Sequence, residues 1–155
     1  MTALGHHTLL DFYRCNPRRL KHSRDIKTLL CAAVRAGSGR IVRAVFHNFS
    51  PYGVSGVVVI TESHVTIHTW PEHGYAAVDI FSCSAKLDHA AIRSHLKQAL
   101  GAKSAYRRSF RRGVLTAMHN SFGGRERRTT NQKSSVAAPS QRTRSLLVQR
   151  SVLEV

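Results

Sequence analysis

Residues 54–61 read Val-Ser-Gly-Val-Val-Val-Ile-Thr, and this run decides the fold. Its β-branched residues predict a strand with a buried stretch. A second segment rich in β-branched and aromatic residues, 41–49, precedes it across a turn signal at 50–53. Shorter strands are predicted downstream, over 65–68 and 76–81. The centre of the chain is therefore a run of consecutive strands joined by short turns.

Two segments with helical periodicity flank this block. The first begins near Ser23, the predicted N-cap, and the second spans about 88–100. Further strands are predicted over 6–13, before the first helix, and over 106–110, after the second. The first helix carries one apolar stripe at i, i+3, i+4, i+7 and i+8. This stripe consists of Ile26, Leu29, Leu30, Ala33 and Val34.

The predicted order β-α-β-β-β-α-β places the chain in the α+β class. It favours a two-layer α/β sandwich with a mostly antiparallel sheet and both helices on one face. The other sheet face would need cover, so we expect the chain to dimerise. The 155 residues provide one ordinary domain, which we assign to residues 1–113. Residues 114–155 are predicted to be a basic, flexible C-terminal tail.

Composition excludes several classes of protein. The apolar fraction of 42% is enough for a core, so wholesale disorder is excluded. The longest apolar run, 56–60, is far too short to span a membrane. The first residues lack the pattern of a secretory signal. Cys15, Cys31 and Cys83 show no CxxC spacing, which argues against a disulfide scaffold or zinc ribbon. We therefore expect a cytoplasmic protein.

The net charge is +16, from 24 basic and 8 acidic residues. Such an excess suggests a polyanionic partner such as nucleic acid. Half of the basic residues lie in 103–155, however, so the excess is concentrated in the last third. A basic tail would bind phosphates with little sequence preference. A basic nucleic-acid-binding protein is thus one alternative function, although the chemistry of the middle of the chain makes nucleic acid the less favoured partner.

Reactive side chains are concentrated in residues 47–84. Glu62, Glu72 and Asp79 are the only acids between Asp25 and Asp88, and all three lie within this segment. Histidines, serines and a cysteine surround them along the predicted strands and turns. In so basic a chain, this placement of carboxylates indicates a functional site.

Several motifs in this segment identify a family. Phe-Ser-Pro-Tyr-Gly-Val-Ser-Gly occupies 49–56, Glu-Ser-His occupies 62–64, and His-Thr-Trp-Pro-Glu occupies 68–72. Tyr-Ala-Ala-Val-Asp follows at 75–79, and Cys83 comes after it. In order and spacing, these motifs resemble those of the bacterial-type S-adenosylmethionine decarboxylase proenzyme. The resemblance extends over about residues 4–112.

The resemblance implies an enzyme that makes its own cofactor. Autocatalytic cleavage would fall between Glu62 and Ser63 and convert Ser63 into a pyruvoyl group, with no metal and no pyridoxal phosphate. The amino group of S-adenosyl-L-methionine would form a Schiff base with this carbonyl, which accepts the electrons released on decarboxylation. The product, S-adenosylmethioninamine, is the aminopropyl donor for spermidine synthesis.

The resemblance also assigns processing roles. Ser55 corresponds to the residue that hydrogen-bonds the processing intermediate. His68 corresponds to the base that removes a proton during elimination, a task that suits imidazole because it titrates near neutrality. Cys83 corresponds to the proton donor, and a thiol is mostly protonated at neutral pH. In the family the active site lies at a subunit interface, so Ser63 and Cys83 of one copy should meet Ser55 and His68 of another.

Three residues correspond to substrate-binding positions of the family. Glu72 would hold the ribose hydroxyls, Phe49 would stack on the adenine, and Trp70 would assist. An aromatic face also attracts a sulfonium cation. These residues favour S-adenosylmethionine as the small-molecule substrate. The same machinery acting on ornithine or arginine is the alternative within the enzyme class.

Overall fold

The computed structural model describes residues 3–115, which form one six-stranded sheet and two α-helices. Short 3₁₀ turns at Pro17–Leu20 and Pro71–His73 lie between these elements. The strands β1 to β6 span Ala3–Tyr13, Ile41–Asn48, Val54–Ile60, Ser63–Trp70, Tyr75–Ser82 and Ser104–Val114. The helices α1 and α2 span Ser23–Ala36 and His89–Ala99.

The strand order is β2-β3-β4-β5-β1-β6, and every neighbouring pair is antiparallel. Strands β2 to β5 follow one another as hairpins, while α1 carries the chain from β1 to the far edge. Helix α2 then leads from β5 to β6, which pairs with β1. This arrangement confirms the predicted α+β class and the mostly antiparallel sheet with two helices.

The core lies between the sheet and the two helices, which contact each other and pack on the same face. Alternate residues along each strand point into this layer, as expected for period-two strands. Of the predicted helical stripe, Leu29 is partly buried and the other four residues are buried. We call the opposite side of the sheet the open face. Its side chains include His7, Asp11, Ser55, Thr66, His68, Trp70, Tyr75, Asp79 and Phe81.

Strand lengths differ from the predicted ones. Strand β4 begins at Ser63 and not at residue 65, and β6 covers Ser104–Val114 and not only 106–110. Strand β6 is an edge strand held by backbone pairing with β1, and most of its side chains are exposed. Because arginines occupy much of this strand, its sequence does not alternate between apolar and polar residues. Hydrophobic periodicity therefore predicts only part of the strand.

The N-cap of α1 also differs from the prediction. His22 occupies the cap position, and Ser23 is the first helical residue. The Ser23 amide donates to Asn48 Oδ1 at 2.7 Å, and Asn48 Nδ2 donates to the Lys21 carbonyl at 2.7 Å. A side chain from the end of β2 therefore satisfies the start of this helix, as a local cap residue would otherwise do.

Strand β6 ends at Val114. The predicted tail lies outside the described residues from residue 116 onward. Within residues 3–115, the helices are too short or too polar to cross a membrane.

Candidate active site

A tight hairpin turn joins β3 to β4 and contains the predicted cleavage position. Glu62 adopts a φ of 64°, in the left-handed backbone region that residues other than glycine rarely occupy. The Ser63 hydroxyl, on the first residue of β4, donates to the Glu62 carbonyl oxygen at 2.5 Å. The nucleophilic Oγ is therefore held beside the carbonyl that it would attack.

Cys83 lies next to this turn, just after the end of β5. Its backbone amide donates to Ser63 Oγ at 3.2 Å, and Ser63 pairs with Ser82 in the β4–β5 ladder. The antiparallel register thus brings Ser63 and Cys83 together within one chain.

Cys83 is exposed, whereas Cys15 and Cys31 are buried. Burial raises the pKa of the Cys15 thiol to about 11, so this thiol stays protonated.

Ser55 and His68 form a second cluster at the opposite end of the hairpin. They are directly opposite each other in the β3–β4 register, and Ser55 Oγ lies 2.6 Å from His68 Nδ1. Nearby, the buried Thr69 hydroxyl accepts from the Val54 amide and donates to the Leu20 carbonyl, each at 2.9 Å. These two bonds anchor the end of the hairpin below the Ser55–His68 pair.

The two clusters lie far apart in a single chain. Ser63 and His68 are five residues apart on β4, which is about 17 Å in an extended strand. The structure therefore pairs Ser63 with Cys83 and Ser55 with His68, and it does not bring the two pairs into contact.

The predicted substrate-binding residues lie at the Ser55–His68 end. Phe49 is 51% exposed and Trp70 38% exposed, large values for aromatic side chains. The Phe49 ring packs edge-on against His47 at 4.8 Å, and the Trp70 ring lies 6.2 Å from the ring of His68. Glu72 is exposed in the adjoining 3₁₀ turn. The arrangement offers an aromatic and acidic surface close to His68.

Two basic residues near Ser63 were not anticipated from the sequence. Arg40 and Lys86 line a cavity of about 260 Å³ together with Glu62 and Ser63. Each lies in a short segment rich in glycine, serine or alanine, a weak signal for a site. Two positive charges therefore border the cavity that contains Glu62, whose carbonyl would become negatively charged if Ser63 attacked it.

Tyr75 is a third residue to which the sequence analysis gave no role. Its hydroxyl donates to Asp11 Oδ1 at 2.6 Å, and its ring lies 5.3 Å from the Trp70 ring. Burial, together with the hydrogen bond to Asp11, raises the pKa of Tyr75. The phenol therefore stays protonated and positions Trp70 from the side. Only the β4–β5 register reveals this contact.

Within residues 3–115, histidine, cysteine and acidic side chains do not assemble in threes or more around a point that could hold a metal ion. His64 and His68 share the open face and are four residues apart, a spacing that can indicate a metal-binding pair, but no third ligand joins them within residues 3–115. His64 stacks on Phe81, with ring centroids 5.7 Å apart and planes 10° from parallel.

The left-handed conformation of Glu62 leads to a stability prediction. Glu62→Gly should stabilise the uncut chain by about 1 kcal/mol relative to Glu62→Ala, because only glycine adopts this φ without strain. Both variants are made in a Ser63→Ala chain, which keeps the backbone intact, and are compared by urea unfolding. Equal stability of the two variants would show that residue 62 carries no strain.

Comparison with known proteins places the chain among decarboxylases. A sequence model of the family described as S-adenosylmethionine decarboxylase matches residues 6–113. The S-adenosylmethionine decarboxylase proenzyme of Thermotoga petrophila is 47% identical over 106 residues, covering 68% of this chain and 82% of that protein. The proenzyme of Acidithiobacillus ferrooxidans is 42% identical over 118 residues, covering 76% and 89%.

A solved structure agrees with the sequence relatives. The crystal structure of the adenosylmethionine decarboxylase from Aquifex aeolicus matches with a TM-score of 0.66 and 28% identity. The match covers 85% of this chain and all of that one. The motif-based prediction is confirmed: the chain belongs to the S-adenosylmethionine decarboxylase family.

Proposed function

We propose that the chain cleaves itself between Glu62 and Ser63 and then decarboxylates S-adenosyl-L-methionine to S-adenosylmethioninamine. The observation that carries this proposal is the Ser63 hydroxyl, 2.5 Å from the Glu62 carbonyl oxygen in a strained turn. The product would serve as the aminopropyl donor for spermidine synthesis. The proenzyme names of the relatives support self-processing.

Cleavage would proceed in two steps. Ser63 Oγ attacks the Glu62 carbonyl carbon, the C–N bond breaks, and the amide becomes an ester with a free amine on residue 63. A base then removes the Cα proton of residue 63, the Cβ–Oγ bond breaks, and Glu62 leaves as a carboxylate. Water releases ammonia from the residue that remains, and a pyruvoyl group begins the chain 63–155.

The residues around position 63 fit such a group. The carbonyl would supply an electron sink for the pair left behind when carbon dioxide departs. Cys83 would return a proton to the substrate carbon through its thiol. Its exposure, and the 3.2 Å hydrogen bond from its amide to Ser63 Oγ, support this role. Neither a metal ion nor pyridoxal phosphate takes part in this mechanism.

The base for the second step would come from a second copy of the chain. His68 lies about 17 Å along β4 from Ser63 in its own chain, too far for proton transfer. His68 and Ser55 lie on the open face, at 2.6 Å from each other. We propose that a homo-oligomer brings the His68 and Ser55 of one copy to the Ser63 and Cys83 of another.

The substrate would be held by the same two copies. Phe49 and Trp70 offer exposed rings for the adenine and the sulfonium, and Glu72 offers a carboxylate for the ribose hydroxyls. All three lie at the His68 end of the sheet. One copy would therefore bind the nucleoside, while the other presents residue 63 to the amino acid portion.

The proposed domain comprises residues 1–113, followed by a basic tail over 114–155. Cleavage would divide it into chains 1–62 and 63–155. A cytoplasmic location remains our prediction.

The mass spectrum of the purified protein should show two chains, 1–62 and 63–155, the larger with a blocked N-terminus. Ser63→Ala should abolish the split because the nucleophile is missing. His68→Ala should slow it by at least about a hundredfold, since general-base catalysis contributes that much. Cys83→Ala should leave cleavage largely intact and depress turnover. A wild-type chain that stays full length and still releases carbon dioxide would contradict the mechanism.

Mixing two inactive variants tests the shared site. A tagged His68→Ala chain retains Ser63 and lacks the base, whereas a Ser63→Ala chain retains the base and lacks the nucleophile. Co-expression should restore cleavage of the tagged His68→Ala chain only, because one mixed site then contains both groups. As a matched control, co-expression of two His68→Ala chains with different tags should give none. Absence of cleavage in stable mixed oligomers would place all catalytic groups in one chain.

Substrate identity is tested with carboxyl-labelled compounds. The processed enzyme should release labelled carbon dioxide from S-adenosylmethionine and not from ornithine or arginine. Glu72→Gln should raise KM for S-adenosylmethionine by about tenfold or more, because a charged hydrogen bond to the ribose is lost. Release of label from ornithine or arginine alone would establish the alternative decarboxylase.

A further inference from the structure

A second cavity, of about 550 Å³, lies beside the start of α2. Ser63 does not line it, although Ser84, Lys86 and Leu87 line both this cavity and the one next to Ser63. Four basic side chains from separate segments line it: His6 of β1, Lys86 of the loop before α2, His89 of α2 and Arg107 of β6. Strand pairing and the helix start thus bring together residues that are up to about a hundred positions apart. We call this the basic cavity.

Hydrogen bonds position one wall of the basic cavity. His89 Nδ1 lies 2.9 Å from the hydroxyl of the buried Thr8, which lies 3.1 Å from the Ser109 hydroxyl. This chain of contacts links α2, β1 and β6 and orients the His89 ring. With Nδ1 engaged, Nε2 is the ring nitrogen available to a ligand.

The formal charge of the basic cavity is positive, because Lys86 and Arg107 line it with one acidic residue. Asp88 is the acid on its wall, and Asp88 Oδ1 already accepts from the amides of Ala90 and Ala91, at 2.9 Å each. Burial lowers the pKa of His89, and the neighbouring His6 and Arg107 lower it further, against the opposing effect of Asp88. These surroundings therefore disfavour protonation of His89, and a bound anion would stabilise the protonated ring.

We propose that the basic cavity binds a phosphate group, either free phosphate or a phosphate monoester. Arg107 supplies a planar set of donors suited to a tetrahedral oxyanion, and Lys86 supplies a mobile point charge. His89 adds a donor once the bound dianion favours its protonated form. The volume exceeds that of one phosphate ion, which leaves room for the remainder of a monoester.

Titration calorimetry of the purified wild-type protein, with chains 1–62 and 63–155 both present, tests the proposal with inorganic phosphate at constant ionic strength set with chloride. Saturable binding is expected, and Arg107→Gln should weaken it by about tenfold or more, since a charge-assisted contact is lost. Arg108→Gln is the matched control, because it removes the same charge from the adjacent residue, which does not line this cavity. Equal weakening by both variants, or no saturable binding, would overturn the proposal.

A second readout locates the ligand. The His89 ring signal, assigned by its loss in His89→Gln, should titrate at a higher pH when phosphate is present, because a bound dianion stabilises the imidazolium. Phenyl phosphate replaces phosphate in a parallel experiment, and tighter binding of it would identify a monoester as the ligand. Saturable binding with an unchanged His89 titration would place the anion elsewhere on this basic chain. Lys86→Gln serves as a second variant if Arg107→Gln does not fold.

Discussion

The pairing of β4 with a neighbour on each side is the constraint on which the rest of the site depends. Against β3 it places His68 opposite Ser55, and against β5 it places Ser63 beside the residues that lead into Cys83. Because an extended strand cannot fold back on itself, these two clusters stay about 17 Å apart. A one-residue slip would separate both pairs and turn His68 away from the open face.

One face of the sheet contributes to stability, and the other carries residues of the candidate site. The helices cover one face with a continuous apolar core. The open face presents ring pairs such as Trp70 with Tyr75, and hydrogen-bonded pairs such as Tyr75 with Asp11. Such a surface combines polar groups that water can solvate with exposed rings that a second copy could cover. A site assembled between two copies would use this face without disturbing the core.

Most of the fold could be predicted from local patterns, because alternation and helical periodicity are direct consequences of burial on one side. Asp88 is the N-cap of α2, and its side chain accepts hydrogen bonds from amides two and three residues further along the chain. The start of α1 could not be predicted in this way, since its partner Asn48 lies 25 residues further along the chain. The motifs identified Ser63, His68 and Cys83 as candidates. Which of them share a cluster depends on strand register, and so do the positions of Arg40 and Lys86.

The sheet order explains how a chain cut in the middle can remain one folded unit. Residues 1–62 contribute β1, β2 and β3, and residues 63–155 contribute β4, β5 and β6. In the order β2-β3-β4-β5-β1-β6, these two sets alternate, so three of the five ladders join one fragment to the other. The proposed cut falls in the turn at the end of the β3–β4 ladder, beside its last pair, Ile60 and Ser63. Separation of the fragments would require breaking the β3–β4, β5–β1 and β1–β6 ladders together and exposing the core. Cleavage at this turn therefore changes the chemistry of residue 63 while the surrounding sheet holds it in place.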